Sequence, residues 1–134
     1  MTAGTLRFRA RLERGLAPLT CAAVERMLPM HATLLHARWS GEAGWVPFGD
    51  LDLALSPENA TSYPAPGQLL LYPGGVSETE ILVPYGPTCF ASKAGQLAGN
   101  HFATIIEGEG QFQELGRRLL HEGAQELTLE PLAG

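Results

Sequence analysis

Strict alternation opens the chain. Leu6, Phe8, Ala10 and Leu12 fall on one side of a strand over Thr5 to Leu12, and Arg7, Arg9 and Arg11 on the other. A period of two with one charged face marks a half-buried strand. The period changes after Gly15, where Leu16, Leu19, Ala23, Val24 and Met27 recur at helical spacing. Pro18 suits a first helical position, and Pro29 stops the run because the residue before a proline avoids the α region. One amphipathic helix is predicted over Pro18 to Leu28. Ala32 to Trp39 returns to alternation, with Thr33, Leu35, Ala37 and Trp39 on one face and Leu34, His36 and Arg38 on the other. Ser40-Gly41-Glu42-Ala43-Gly44 turns, and Trp45 to Phe48 completes a hairpin. Leu51 to Leu55 reads as a short strand. Ser56 to Pro66, rich in Pro, Ser, Asn and Thr, reads as a surface loop.

The second half is built around the stretch from Gly67 to His101. Gln68 to Tyr72 is apolar on both faces at its centre, which suits a strand between a barrel interior and a covering helix. Pro73-Gly74-Gly75 turns, Thr79 to Val83 is the partner strand, and Pro84 to Pro87 ends it. Thr88-Cys89-Phe90 reads as a short strand. Ser92 caps a helical turn over Lys93 to Ala98 that Gly99 closes at the left-handed position. Phe102 to Glu107 reads as strand. Gln111 to His121 is a second amphipathic helix striped by Phe112, Leu115, Leu119 and Leu120, and Gln125 to Glu130 a last strand. About eight short strands and two short helices without β-α-β alternation argue against a parallel doubly wound sheet. A small, mostly antiparallel barrel remains, whose closure removes exposed edges and whose open ends the helices cover.

Length fits this picture. The 134 residues make one domain, 1–134, and a chain of that size buries roughly two-thirds of its unfolded surface. Fourteen acidic against nine basic side chains, a net charge of −5, argue against a nucleic-acid partner, which needs a basic face. Cys21 and Cys89 are far apart and form no Cys-x-x-Cys pair, so each is expected to be a small core residue. His31, His36, His101 and His121 show no ligand spacing. Phosphate and dinucleotide glycine loops are missing too, so neither a metal nor a cofactor is expected. No secretory pattern opens the chain and no apolar run reaches bilayer length; a cytoplasmic protein without membrane contact is the expectation.

The runs LLYPGGVSETEILVPYG and FASKAGQLAGNHF, with HARWSGEAGW and ENATSYPAPGQ before them in order, resemble a bacterial family of cyclophilin-like domains of unknown function. The resemblance extends over nearly the whole chain. It implies a closed eight-stranded cyclophilin-like barrel with two short capping helices, in agreement with the strand count. It does not imply prolyl isomerase activity. The Arg, Phe-x-x-Gln, Trp and His set of those enzymes has no counterpart here, the nearest being Phe90 with Gln96 at the wrong spacing and without the arginine.

Several residues have the right chemistry for a site. Glu78 and Glu80, two apart, would point to one side of a regular strand about 7 Å apart, a spacing suited to acid and base work; the alternative is an edge face in water. Tyr72 and Tyr85 flank the hairpin and suit a pocket mouth or rim packing. Ser92, Gln96, Asn100 and His101 form a polar run in which glycines let backbone approach a ligand, with Lys93 solvated. His101 suits proton transfer near neutrality, and with Glu80 it is the expected acid-base pair. Structural alternatives stand beside each: Ser92 as a cap, Asn100 in a turn, His101 as a hydrogen-bonded histidine. Roles for Trp39 and Glu42 follow from the resemblance alone. The expectation is a binder of a small polar metabolite in a pocket at the barrel mouth, bearing an amide or carboxylate. The alternatives are a hydrolase or isomerase acting on a cyclic amide or related compound, and a structural subunit of a homo- or hetero-oligomer.

Overall fold

The structure is a computed structural model and describes residues 1–132. The N-terminal alternation becomes three short pieces. β1 (Thr2–Ala3) turns back onto β2 (Leu6–Arg7), and β3 (Arg9–Leu12) continues the same extended run past Phe8. Phe8 donates its N–H to the Met1 carbonyl (2.8 Å) and accepts from the Met1 ammonium (2.9 Å). Helix α1 (Pro18–Met27) follows, and Leu28 before Pro29 is already extended, as the proline rule requires. β4 (Met30–His36) and β5 (Gly41–Pro47) form the predicted hairpin.

Three expectations change in the middle of the chain. Leu51 to Leu55 forms no strand; Ala54 takes a positive φ of 54° and the Leu51 carbonyl accepts from the Thr79 hydroxyl at 2.6 Å. Its alternation reflects only Leu53 and Leu55 resting against the core from an irregular segment. β6 (Ala60–Thr61) and β7 (Gln68–Tyr72) come next, and β8 (Glu80–Thr88) runs straight through Pro84 and Pro87. Its pairing with β7 covers only residues 80 to 82, so both prolines lie beyond the part of that ladder that needs an N–H. The helical turn predicted at Lys93 to Ala98 is instead a small hairpin, β9 (Ala91–Ser92) with β10 (Gly95–Gln96). Gly95 turns it at φ 121°, and the Ser92 hydroxyl accepts the Ala94 N–H at 3.0 Å. β11 (Gly99–Glu107), a 3-10 turn at Glu109–Gln111, α2 (Phe112–His121) and β12 (Gln125–Leu129) complete the order.

All pairings are antiparallel, in the order β2-β1-β12-β4-β5-β8-β7-β11-β3, with β6 added on β11. Both ends of that order belong to the one segment Leu6 to Leu12. The sheet therefore returns on itself through Phe8 and makes a nearly closed barrel. Leu34, Val46, Leu69, Leu71, Ile81, Val83, Phe102 and Leu127 fill it. α1 packs on β11, and α2 lies on β8, β5 and β4. Gly116 makes the second contact possible, since a Cβ there would overlap the Tyr85 ring. Leu19 and Leu120, assigned to the helices' apolar stripes, face water instead. Cys21 is buried as expected, whereas Cys89 is exposed, alternating with the buried Phe90.

A second apolar layer lies on the outside of the barrel. Leu70, Tyr72, Leu82, Ala37 and Ala43 meet Phe90 and Leu97 there, with Trp45 alongside. The cover over β7 is thus the excursion at residues 89–98, not a helix. No helix among the described residues is long and apolar enough to cross a membrane.

Candidate functional site

Alternation along β8 sends Ile81, Val83 and Tyr85 inward and Glu80 and Leu82 onto the outer layer. The outer layer stops short of Glu80, and a cavity of about 160 Å³ opens there. Four separate stretches wall it, one of them the turn before β8, which brings Ser77. The β4–β5 turn supplies Arg38, Trp39 and Ser40, β5 supplies Trp45, and the β9 hairpin supplies Ser92 and Lys93. Ser40 fixes their relation. Its hydroxyl donates to the Ala91 carbonyl (3.0 Å) and accepts the Ala91 N–H (3.1 Å), and its carbonyl accepts the Cys89 N–H (3.0 Å). The turn and the hairpin are therefore stitched edge to edge above Glu80.

Glu80 is only 5% exposed. Burial, and secondarily the charge of Glu78, pushes its carboxyl up to about 8. Neither a cation nor a hydrogen-bond donor offsets that cost. At neutral pH the group is chiefly a carboxylic acid, able to donate as well as accept. Ser92 has free capacity too. Its oxygen accepts from Ala94, leaving the hydroxyl hydrogen and a second lone pair for other partners. Arg38 sits 5.9 Å from the centre of the Trp39 ring, and Trp39 is 56% exposed at the rim.

The other sequence-selected residues lie elsewhere. Glu78 precedes β8 instead of sharing its pleat, and accepts the Gly49 N–H at 3.2 Å. It borders an open hollow of about 670 Å³ between residues 49–52 and 73–79, together with Asp50 and Asp52. The Tyr72 hydroxyl accepts the N–H groups of Val76 and Ser77 (3.0 and 3.4 Å), so it closes the turn before β8. Tyr85 points inward beneath α2, 3.2 Å from His36 Nε2, its phenol raised by burial and then by Glu42. Glu42 is exposed, laid over Gly86. Gln96 is exposed and accepts from Tyr63 at 3.4 Å.

His101 and Glu80 do not share a cavity. The His101 ring donates through Nε2 to Thr104 Oγ1 (2.8 Å), which donates in turn to Glu13 (2.8 Å). That chain ties β11 to the end of β3, and burial lowers the His101 pKa despite the nearby Glu13 charge. Asn100 is 1% exposed and fully engaged. Its oxygen accepts the Glu58 N–H (3.0 Å), and its nitrogen donates to Thr20 Oγ1 (3.1 Å) and the Ser56 carbonyl (3.0 Å). It joins α1, the 56–58 loop and β11. Asn100→Ala leaves those partners without it, so a loss of about 3 kcal/mol is expected. Urea denaturation should show a lower midpoint with an unchanged slope; a loss under about 1 kcal/mol would mean that water replaces the amide without cost.

Sequence reading missed Arg38, Ser40 and Trp45. Only Trp45 left a signal, as a large aromatic on a strand face with no second strand to cover it. Among the described residues, no three His, Cys, Asp or Glu side chains are placed to hold a metal.

No curated protein matches the chain. Among solved structures, McbB in complex with tryptophan aligns over 95% of this chain with a TM-score of 0.70 and 16% sequence identity. The chain spans about two-fifths of that protein, 41% of its length. At this identity the likeness carries the fold, a cyclophilin-like one in that neighbour. The chain belongs to the family described as protein of unknown function (DUF3830), whose model matches residues 1–130.

Proposed function

We propose that the protein binds a small polar metabolite in the outer-face pocket beside Glu80. The observation that carries this reading is Glu80, a residue only 5% exposed, whose carboxyl borders a cavity and has no protein group compensating its burial. Its oxygens are not sealed off from solvent, so the partner comes from the cavity, from water or from a ligand that displaces it. The pocket lies on the outer face of the sheet and not at the barrel mouth, because Glu80 belongs to the outer layer while side chains fill the interior. It still draws on both stretches singled out in the sequence, Glu80 from the first and Ser92 from the second. Its volume, about 160 Å³, is below the roughly 300–1,000 Å³ typical of drug-sized ligands. That suits a single amino acid or a small cyclic amide.

The chain's only two tryptophans, Trp39 and Trp45, both line the pocket, so intrinsic fluorescence reports on it directly. A panel of cyclic amides, amino acids and dipeptides should contain at least one member giving a saturable change. McbB, solved with tryptophan, is a reason to include aromatic amino acids. At a hundred times its dissociation constant that ligand should add about 2.7 kcal/mol of stability, and Trp39→Ala should abolish the gain. A panel that moves neither fluorescence nor melting temperature would defeat the reading. A carboxyl held protonated near neutrality is also a general-acid candidate. Turnover of the bound compound, lost in Glu80→Gln, would extend the reading to an enzyme acting on a cyclic amide or related substrate.

A further inference from the structure

Resting on that reading, we propose that the pocket's ligand is a small planar carboxylate. Its anionic end meets Arg38 and Lys93 at the rim, and an acceptor atom on its ring meets the Glu80 carboxyl at the floor. The inference comes from counting what the cavity offers. Ser40 is spent on the backbone of Ala91 in both directions. Ser92 has accepted once and keeps its hydroxyl hydrogen and one lone pair, and the Ser77 hydroxyl, also in the lining, can do both. Arg38 and Lys93 have donors and no acceptors. A protonated Glu80 presents an O–H toward the cavity. The hydroxyls and the neutral carboxyl donate and accept about equally, so the two cations, which only donate, weight the site toward a ligand rich in acceptors.

Charge and shape narrow the class further. With Glu80 neutral, the pocket walls carry two cations and no anion; Glu78, the nearest acid, is outside the lining and accepts from Gly49. An ammonium ligand would meet like charge at the rim and no anion in compensation. Trp39 and Trp45 bring flat apolar faces, which suit a planar body. The Arg38 guanidinium, beside the Trp39 ring, is placed at the rim for a charge-assisted contact, roughly twice as strong as a neutral one.

Four matched probes test this on the full chain, read by tryptophan fluorescence at millimolar concentration. They are nicotinate, nicotinamide, the pyridine bearing an aminomethyl group in the same position, and benzoate. Nicotinate should bind tightest, with nicotinamide about tenfold weaker because it lacks the charge. The amine should not bind. Benzoate, without the ring nitrogen for Glu80, should fall between nicotinate and no binding. Arg38→Gln combined with Lys93→Gln, both exposed positions, should shrink the preference for nicotinate over nicotinamide to about twofold. Equal binding of acid and amide, tighter binding of the amine, or a preference that survives the double substitution would overturn the ligand class and leave the pocket reading standing. Silence from all four probes alongside a hit in the metabolite panel would also overturn the class alone. Silence from both sets would take down the pocket reading with it.

Discussion

Glu80→Gln is expected to become progressively more stable than the parent chain as pH rises from 5 to 9. In the unfolded chain the carboxyl titrates near 4.5, and in the folded barrel near 8. Between those values the folded state holds a proton that the unfolded state has released. Stability contributed by the neutral acid is complete below pH 4.5 and is lost as pH climbs to about 8. Each unit of difference is worth 1.36 kcal/mol, so the loss is roughly 3 kcal/mol at pH 7 and about 4 to 5 kcal/mol above pH 8. Glutamine has nearly the shape of the protonated acid and does not titrate, so the difference between the two proteins isolates this one group. Urea denaturation at pH 5, 7 and 9 measures it. Stability curves that run parallel across that range would show Glu80 to be hydrated through the pocket. Glu78→Gln should recover only a minor part of the effect, because its charge is the smaller of the two causes.

The depth of Glu80 was only half legible: it begins an apolar run, Glu80-Ile81-Leu82-Val83, but its spacing from Glu78 fitted an edge face in water equally well. Both helices were legible because their proline or glycine boundaries and their 3.6-residue stripes are local signals. The surroundings of Glu80 were not local. Trp39, Trp45 and Ser92 reach it only because β5 pairs with β8 and the β9 hairpin folds back over β7. Ser92 was marked as the cap of a helical turn and instead closes a hairpin turn, since one serine-to-backbone bond serves either structure. Asn100 and His101 sit beside each other in the sequence and on opposite sides of β11, so a polar run that looked like one site was divided by the pleat. Asn100 went to α1 and the loop, His101 to Thr104 and Glu13. The 89–98 excursion was the hardest piece to foresee. Its two anchors, Phe90 and Leu97, are separated by two alanines, serine, lysine, glycine and glutamine that carry neither period.

That excursion rests on Phe90, and Phe90→Ala is expected to cost about 3 to 5 kcal/mol, as for other fully buried aromatics. The ring is 0% exposed and meets Tyr72 edge-on at 5.8 Å and 81°. Gly99 makes room for it, since a Cβ there would come within 3.0 Å of the ring. Around it the Phe90 N–H donates to the Ser62 carbonyl (2.7 Å) and its carbonyl accepts from Leu97 (2.9 Å). Phe90 thus pins the hairpin that holds Ser92 and Lys93 over Glu80. Phe102→Ala, inside the barrel, removes an equally buried ring and should cost a similar amount without touching the pocket. The two variants separate under native-state hydrogen exchange. In Phe90→Ala the amides of residues 91–98 should exchange much faster while those of β7 and β8 stay protected, and tryptophan fluorescence should shift as the pocket opens. In Phe102→Ala protection should fall across the whole barrel with the tryptophans unchanged until unfolding. If Phe90→Ala instead loosens the barrel uniformly, the excursion folds as one unit with the sheet, and the pocket's two walls are no more separable than its floor.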